Sequence, residues 1–466
     1  MSKIESLNIR AKTWNKDTNG LFDFSTKEIV FSNMSIKKST FLKRKGNMIK
    51  AETKELNKPN EENLFNIFKK GKNEYFFENK FEYNLEPNER NISEINDKIW
   101  YVTNNNKKIN EENNDNNKSI INKDYFLVKN DIIKLGRLKF CLIEESLYSG
   151  DKKYELNIPY NASEINRINS KQETIFNLIK EVQCLKNENP EEKVTCRICM
   201  SEEEDKENNP MVHLCNCKGD INYAHYICIK HWMKTKLITI ENKSRTTKTY
   251  YIPRFNCEIC KAPYPFRFRL PEKEDHIYEL IDIERPSNNY VMFESLDQIK
   301  ENNNNKYIHV IKIINEEEIT IGRGIEADIK INDISVSRSH SKLKFNFENK
   351  SLLIRDDKSK FGTLVLIRNS FELKEKDNLL LQIGRTIFEA EVPQREKEKI
   401  FNCQKVKRIK KENKIEIKTY LLNEENDENK KTGINGINND IKDINGKYLL
   451  DIERNDSFDM EIDIIK

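Results

Sequence analysis

Seven cysteines and one histidine stand at spacings that suit metal binding: Cys196-x2-Cys199, Cys215-x1-Cys217, His225-x2-Cys228 and Cys257-x2-Cys260, separated by gaps of 15, 7 and 28 residues. Thiolates and imidazoles are donors that zinc takes in tetrahedral sets of four, so these residues fill two zinc sites completely. No position is left open for a metal-bound water, and the chemistry on offer is structural rather than hydrolytic. His213 and His231 flank the set and could each stand in for His225; the gap of 7 residues after Cys217 favours His225. His231 and Trp232 then fall on a helix that begins near the sixth ligand.

The surrounding chain argues for metal and against disulfides. Of 10 cysteines only Cys141, Cys184 and Cys403 lie outside this segment, far apart. Met1 to Arg10 alternates polar and apolar residues without the apolar run of a signal peptide. No window approaches the roughly 18 to 20 apolar residues of a membrane-spanning helix. The expectation is a soluble cytoplasmic or nuclear protein in a reducing compartment. The segment has little with which to build a core: Ile198, Met200, Leu214, Ile221, Tyr223, Tyr226, Ile227, Ile229 and Trp232. Structural zinc would supply the missing folding energy, about 10 to 16 kcal/mol at neutral pH.

With its order of four Cys, one His and three Cys, and with Cys-Lys-Gly at 217–219, the segment 195–265 resembles the RING-CH (RING-variant) zinc fingers of ubiquitin ligases. The resemblance implies a cross-brace: Cys196, Cys199, His225 and Cys228 on one zinc, Cys215, Cys217, Cys257 and Cys260 on the other. It also implies a domain without a catalytic side chain, which positions a partner, a ubiquitin-conjugating enzyme carrying ubiquitin as a thioester. Ile198, Trp232 and Pro263 would line the docking groove for that enzyme, although Ile198 and Trp232 read equally well as core. Two departures stand out. The gap between the sixth and seventh ligands is long, as if Thr239 to Tyr251 were an inserted excursion, and the knuckle Cys257-Glu258-Ile259-Cys260 lacks the proline of many RING domains. A plant-homeodomain finger shares the ligand types, but has a tryptophan where this chain has Phe255.

From Tyr307 to Val392 the pattern turns to period two with evenly spaced turns, which predicts an antiparallel sandwich. Ile321-Gly322-Arg323-Gly324, Ser337-Arg338-Ser339-His340 and Ser359-Lys360-Phe361-Gly362-Thr363 fall between its strands. A phosphate wants such a set of guanidinium, hydroxyl and loop amides. These stretches resemble the forkhead-associated (FHA) domain, a sandwich that binds phosphothreonine peptides. The resemblance implies Arg323 and Ser337 as phosphate contacts, Lys360 as a third, Arg338 as added charge or local packing, and His340 as the brace between loops. Phe361 replaces the asparagine that usually meets the peptide main chain.

Residues 125–143 and 376–388 look like a weak internal repeat, which predicts a degenerate FHA-like β domain within residues 1–148, with an Asn-rich insertion at 103–118 and no phosphate loops. The capping box Ser170-Lys171-Gln172-Glu173, followed by Ile175, Ile179 and Val182, predicts a helix in the linker 149–194. The chain thus divides into 1–148, the linker, the zinc finger at 195–265, a second linker at 266–300, the FHA domain at 301–393 and a mostly disordered tail at 394–466. It reads as a multidomain protein of one small two-zinc domain and one or two β-sandwiches. With 81 Lys+Arg against 77 Asp+Glu, the net charge of +4 gives no reason to expect nucleic acid. The combination resembles multi-module RING-CH proteins of single-celled eukaryotes. It implies a ubiquitin ligase that selects phosphothreonine proteins, or alternatively a non-catalytic phosphopeptide-binding scaffold.

Overall fold

The computed structural model describes residues 6–16, 20–54, 61–71, 73–79, 98–103, 124–149, 152–158, 179–182, 194–203, 205–273, 275–296, 306–374 and 378–392, with four short strands beyond them. They fall into two units, Met1–Lys397 and Glu398–Lys466. The second unit pairs Lys410–Lys411 with Lys414–Ile415, and Leu450–Asp451 with Asp463–Ile464. The rest of the expected tail, the Asn-rich residues 104–123 and those at 302–305 lie outside the described residues.

In the first unit two β-sandwiches share one sheet of 13 strands. At one end Ile99–Val102, Asn378–Ile383, Thr386–Glu391, Leu7–Trp14 and Ile29–Ile36 lie side by side. They are covered by a 5-stranded sheet of Phe371–Leu373, Tyr75–Glu78, Glu62–Lys69, Thr40–Lys45 and Met48–Glu52. Phe65 meets Phe388 edge-on across the layers at 5.2 Å. Further along, Thr363–Leu366, Ile132–Leu135, Leu138–Ser149, Tyr290–Ser295 and Lys306–Lys312 continue the long sheet. Above them sit Ile329–Lys330, Ile319–Gly322, Ser341–Asn346, Ser351–Asp356 and Tyr125–Leu127. Ser341–Asn346 alternates buried and half-buried residues, as a strand covering a core on one face must.

The two sandwiches exchange their closing strands. Tyr125–Leu127, Ile132–Leu135 and Leu138–Ser149 pair with Ser351–Asp356, Thr363–Leu366 and Tyr290–Ser295, so an early part of the chain completes the later sandwich. Conversely, Phe371–Leu373, Asn378–Ile383 and Thr386–Glu391 pair with Tyr75–Glu78, Ile99–Val102 and Leu7–Trp14. The weak repeat lies on these exchanged pieces. Each contains a hairpin with a two-residue loop whose first residue is glycine, Gly136 at φ 58° and Gly384 at φ 54°, the left-handed conformation such a loop needs. Divisions at 148 and 301 therefore cut through sheets, and neither sandwich is continuous in sequence.

The zinc segment is welded to the second sandwich rather than strung beside it. The long gap between ligands is a hairpin, Ile238–Glu241 and Thr247–Ile252, which pairs with Lys306–Lys312 from Thr247↔Ile311 to Ile252↔Lys306 and extends the long sheet. The stretch 266–300, expected as a linker, carries Arg267–Arg269, Ile277–Glu279 and Tyr290–Ser295. The predicted helix from Ser170 lies mostly outside the described residues, and its final part, Ile179–Glu181, is instead a strand parallel to Arg267–Arg269. The core is also less meagre than composition suggests. Met211, Val212, Leu214, Ala224, Ile229 and Met233 share one buried cluster with Tyr250, Phe268, Tyr278, Tyr290 and Met292. Over this joint Arg285 reaches Glu144 (2.8 Å) and both oxygens of Glu279 (3.0 Å each), Arg267 reaches Glu279 (2.6 Å), and the Tyr290 hydroxyl donates to Glu144 (2.6 Å).

Candidate zinc and phosphate sites

The two outer Cys-x2-Cys pairs fold into matching knuckles. The Met200 amide donates to the Cys196 carbonyl at 2.8 Å and the Cys196 amide to Ser201 at 2.9 Å; the Lys261 amide donates to Cys257 at 3.0 Å and the Cys257 amide to Ala262 at 2.8 Å. Met200 (φ 59°) and Lys261 (φ 62°) take the left-handed conformation that turns the chain back. A non-glycine residue holds that conformation only when its surroundings over-determine it. Helix α1 (Tyr226–Lys234) begins directly after His225 and carries Cys228 on its first turn, with His231 and Trp232 one turn further.

Cys196, Cys199, His225 and Cys228 converge, as do Cys215, Cys217, Cys257 and Cys260, each set with its donor atoms within 4.8 Å of one another. Zinc about 2.3 Å from sulfur and 2.0 Å from nitrogen spaces tetrahedral donors about 3.5 to 3.8 Å apart. His225 Nδ1 lies 3.3 Å from Cys199 Sγ and 3.8 Å from Cys228 Sγ, and Cys217 Sγ lies 3.6 Å from Cys257 Sγ. The donors fit two zinc ions. Among the candidate imidazoles it is His225 that joins a set. Its Nε2 donates to the Glu203 carbonyl at 2.5 Å, which leaves Nδ1 unprotonated and turned towards the thiols. His231 is exposed, and His213 packs against Tyr223. Burial works against ionising Cys257, but the amides of Cys260 and Ile259 and the side chains of Tyr264 and Arg197 outweigh it and hold the thiol well below its ordinary range.

Sequence reasoning overlooked Arg197, which lies inside the first knuckle yet faces the second set of thiols. The residues proposed for enzyme docking are also placed. Ile198 is 43 % exposed at the knuckle tip and Pro263 is exposed. Trp232 is half-buried, with Phe255 and Tyr264 each at 6.0 Å and Lys236 Nζ 4.1 Å above its ring.

In the second sandwich His340 is completely buried and ties its own loop to the one carrying Gly362. Its Nδ1 accepts from the Ser337 amide at 3.0 Å, so its Nε2 carries the proton and donates to the Gly362 carbonyl at 3.2 Å. Burial lowers its affinity for a second proton, which would abolish the Nδ1 acceptor. Arg323 is exposed at its loop tip, its amide on the Ser337 carbonyl (2.9 Å) and its Nε on Val336 (3.2 Å). Ser337 Oγ accepts the Lys360 amide at 3.1 Å. Arg323, Ser337 and the backbone of Lys360 thus meet in one place, with exposed Arg338 on the adjoining loop.

The Lys360 side chain leaves that place: its Nζ is 3.3 Å from Asp23 of the first sandwich and 5.3 Å from the centre of the Phe361 ring. The Phe24 amide donates to the Lys360 carbonyl at 3.0 Å, and the Phe24 ring sits where a Cβ on Gly362 would fall, 2.7 Å away. Phe361 packs half-buried against the same core cluster that contains Phe22 and Phe24. Phe361, where the FHA resemblance leads one to expect asparagine, thus belongs to a contact between the sandwiches. On the opposite flank the zinc module's hairpin touches the loop that follows Arg323, through Thr247 Oγ1 to the Asp328 carbonyl (2.6 Å) and Asn242 Nδ2 to Asp328 Oδ1 (3.3 Å).

A family model of the RING-variant domain matches residues 196–260, and one of the FHA domain matches residues 319–387. The chain is 36 % identical over 83 residues to the ERAD-associated E3 ubiquitin-protein ligase DOA10 of Saccharomyces cerevisiae, a match that spans 17 % of this chain and 6 % of that protein. No solved structure matches. The chain carries a RING-variant domain, which binds two zinc ions, and an FHA domain. Among the described residues no helix is long and apolar enough to cross a membrane.

Proposed function

We propose that this protein is a RING-CH-type ubiquitin ligase whose zinc module recruits a ubiquitin-charged conjugating enzyme and whose FHA sandwich captures proteins bearing phosphothreonine. The observation that carries the reading is the pair of closed Cys/His sets with Ile198 standing exposed between two ligands, in a module similar to part of a known E3 ligase. In such a centre zinc supplies rigidity and no reaction step. The chain's own residues would act by position: Cys196, Cys199, His225 and Cys228 in one set and Cys215, Cys217, Cys257 and Cys260 in the other fix the two knuckles. Ile198, Trp232 and Pro263 offer the apolar docking face. Orientation of this kind is worth about 7 to 11 kcal/mol in the best model reactions.

Arg323, Ser337 and the loop amides would hold the phosphate, with His340 fixing the loops and Arg338 adding charge. Lys360, engaged by Asp23, would have to swing away to take part. Because the hairpin Ile238–Ile252 continues the sandwich sheet, captured substrate and docked enzyme would be held at a fixed separation instead of on a flexible tether.

Ubiquitination in vitro over a panel of conjugating enzymes tests the reading. Ile198→Ala should abolish transfer with zinc content unchanged. Absence of transfer with every enzyme would leave the scaffold reading in its place. For the sandwich, Arg323→Ala should remove binding of phosphothreonine peptides, and binding that ignores the phosphate would overturn that half.

A further inference from the structure

Arg197 sits between Cys196 and Cys199, two members of the first set, but its side chain crosses to the second. Its Nη1 lies 3.7 Å from Cys215 Sγ, 3.9 Å from Cys217 Sγ and 3.6 Å from Cys257 Sγ, and 3.2 Å from the Ile221 carbonyl. Its Nη2 donates to the Tyr264 hydroxyl. The remaining thiol, Cys260, takes the Asn216 amide at 3.3 Å. The first set also receives backbone amides, Cys196 Sγ accepting those of Ile198 and His225 at 3.4 Å each, but among the described contacts it is the second set that receives a guanidinium.

The difference matches the charge of the two centres. A zinc ion with four thiolates is doubly negative, whereas one with three thiolates and a neutral imidazole is singly negative. The more negative centre is the one that receives a guanidinium, half-buried and therefore only partly screened by water. A planar cation presenting N–H groups to several sulfurs at once both neutralises the thiolates and fixes their directions, as outer-shell partners of metal ligands do.

We infer that Arg197 is a positioning residue that couples the two zinc centres, stabilising the all-cysteine centre from a backbone position set by the first. Its Cα is held by the Cys196–Cys199 knuckle, so the guanidinium arrives over Cys215, Cys217 and Cys257 only when that knuckle is closed. Loading of the first site thereby prepares the second, beyond the linkage that interleaving along the chain provides. Tyr264, downstream of Cys260, anchors the far end of the fork. The inference concerns metal retention and stands whether or not the module recruits a conjugating enzyme.

The experiment is metal release from the intact, zinc-loaded chain into excess chelator, repeated with cobalt, whose absorption separates a four-sulfur from a three-sulfur, one-nitrogen site. The unaltered protein should release both ions in one phase. In Arg197→Met the all-cysteine site should empty first and hold metal about 10- to 100-fold more weakly, the usual cost of removing an outer-shell partner, while the His225 site keeps its absorption. Tyr264→Phe, which keeps the guanidinium but removes both its anchor and a direct bond to Cys257, should fall between the two. Release from Arg197→Met indistinguishable from the unaltered protein, or loss of the His225 site first, would overturn the inference. Should Arg197→Met fail to fold, Arg197→Gln, which keeps an N–H donor but not the cation, takes its place, and unchanged release from it overturns the inference as well.

Discussion

Acidification should loosen the joint between the zinc module and the sandwich, through His309. This residue is buried on the strand Lys306–Lys312 opposite Thr249 of the hairpin, with Nδ1 2.9 Å from Thr249 Oγ1 and the Phe140 ring at 5.6 Å. Burial pushes its imidazole down to about 4. An exposed histidine titrates near about 6.5. Between those values the unfolded chain binds a proton that the folded chain refuses. The contribution is therefore complete above about pH 6.5, shrinks as pH falls, and stops shrinking below the folded value. At about 1.4 kcal/mol per pH unit, pH 5 costs about 2 kcal/mol and the whole window about 3 kcal/mol.

Urea denaturation from pH 7.5 to pH 5, with bound zinc measured at each point, would compare the unaltered chain with His309→Gln, which can still bond to Thr249 but does not titrate. The pH curve of the variant should be flatter by about 2 kcal/mol at pH 5. Parallel curves would refute the reasoning, and zinc lost equally from both proteins cannot produce the difference.

Gly136→Ala should destabilise by about 1 to 3 kcal/mol in urea, because a left-handed backbone conformation is then imposed on alanine and its Cβ would fall 2.5 Å from the Ser335 carbonyl. Phe24→Ala, which empties a site between the sandwiches, should cost about 3 kcal/mol by the same measure and give faster hydrogen exchange at Gly362 and Thr363. Removing zinc with a chelator should unfold the knuckles and raise exchange along Thr247–Ile252 and Lys306–Lys312 as well, since the hairpin carries the disturbance into the sheet. Exchange confined to residues 196–260 would argue against that continuity.

The zinc set was legible because a metal ligand must be a particular residue at a particular spacing, and few other demands leave such a signature. The FHA segment was legible for a similar reason, since Gly322-Arg323, Ser337-Arg338-Ser339-His340 and Gly362-Thr363 stand at fixed places between alternating strands. Arg197 could have drawn notice as a cation between two ligands, but nothing local told which thiols it would face. The long gap at Thr239 to Tyr251 registered as an anomaly, while its role as two strands of the sandwich sheet did not. Without the hairpin, Lys306–Lys312 would be the edge of the sheet, and an edge offers unpaired backbone groups to any strand of suitable alternation.

The residues alone determined two closed sets of metal donors and the marks of an FHA segment, together with the alternation that makes β-sandwiches. Only the tertiary structure decided which strands close which sandwich, that the zinc module is continuous with the sheet, and that Lys360 turns to Asp23. Donor identity is written in single side chains and short spacings. Strand pairing is made by backbone groups that are the same at every residue, so its partners are chosen by packing across the whole molecule.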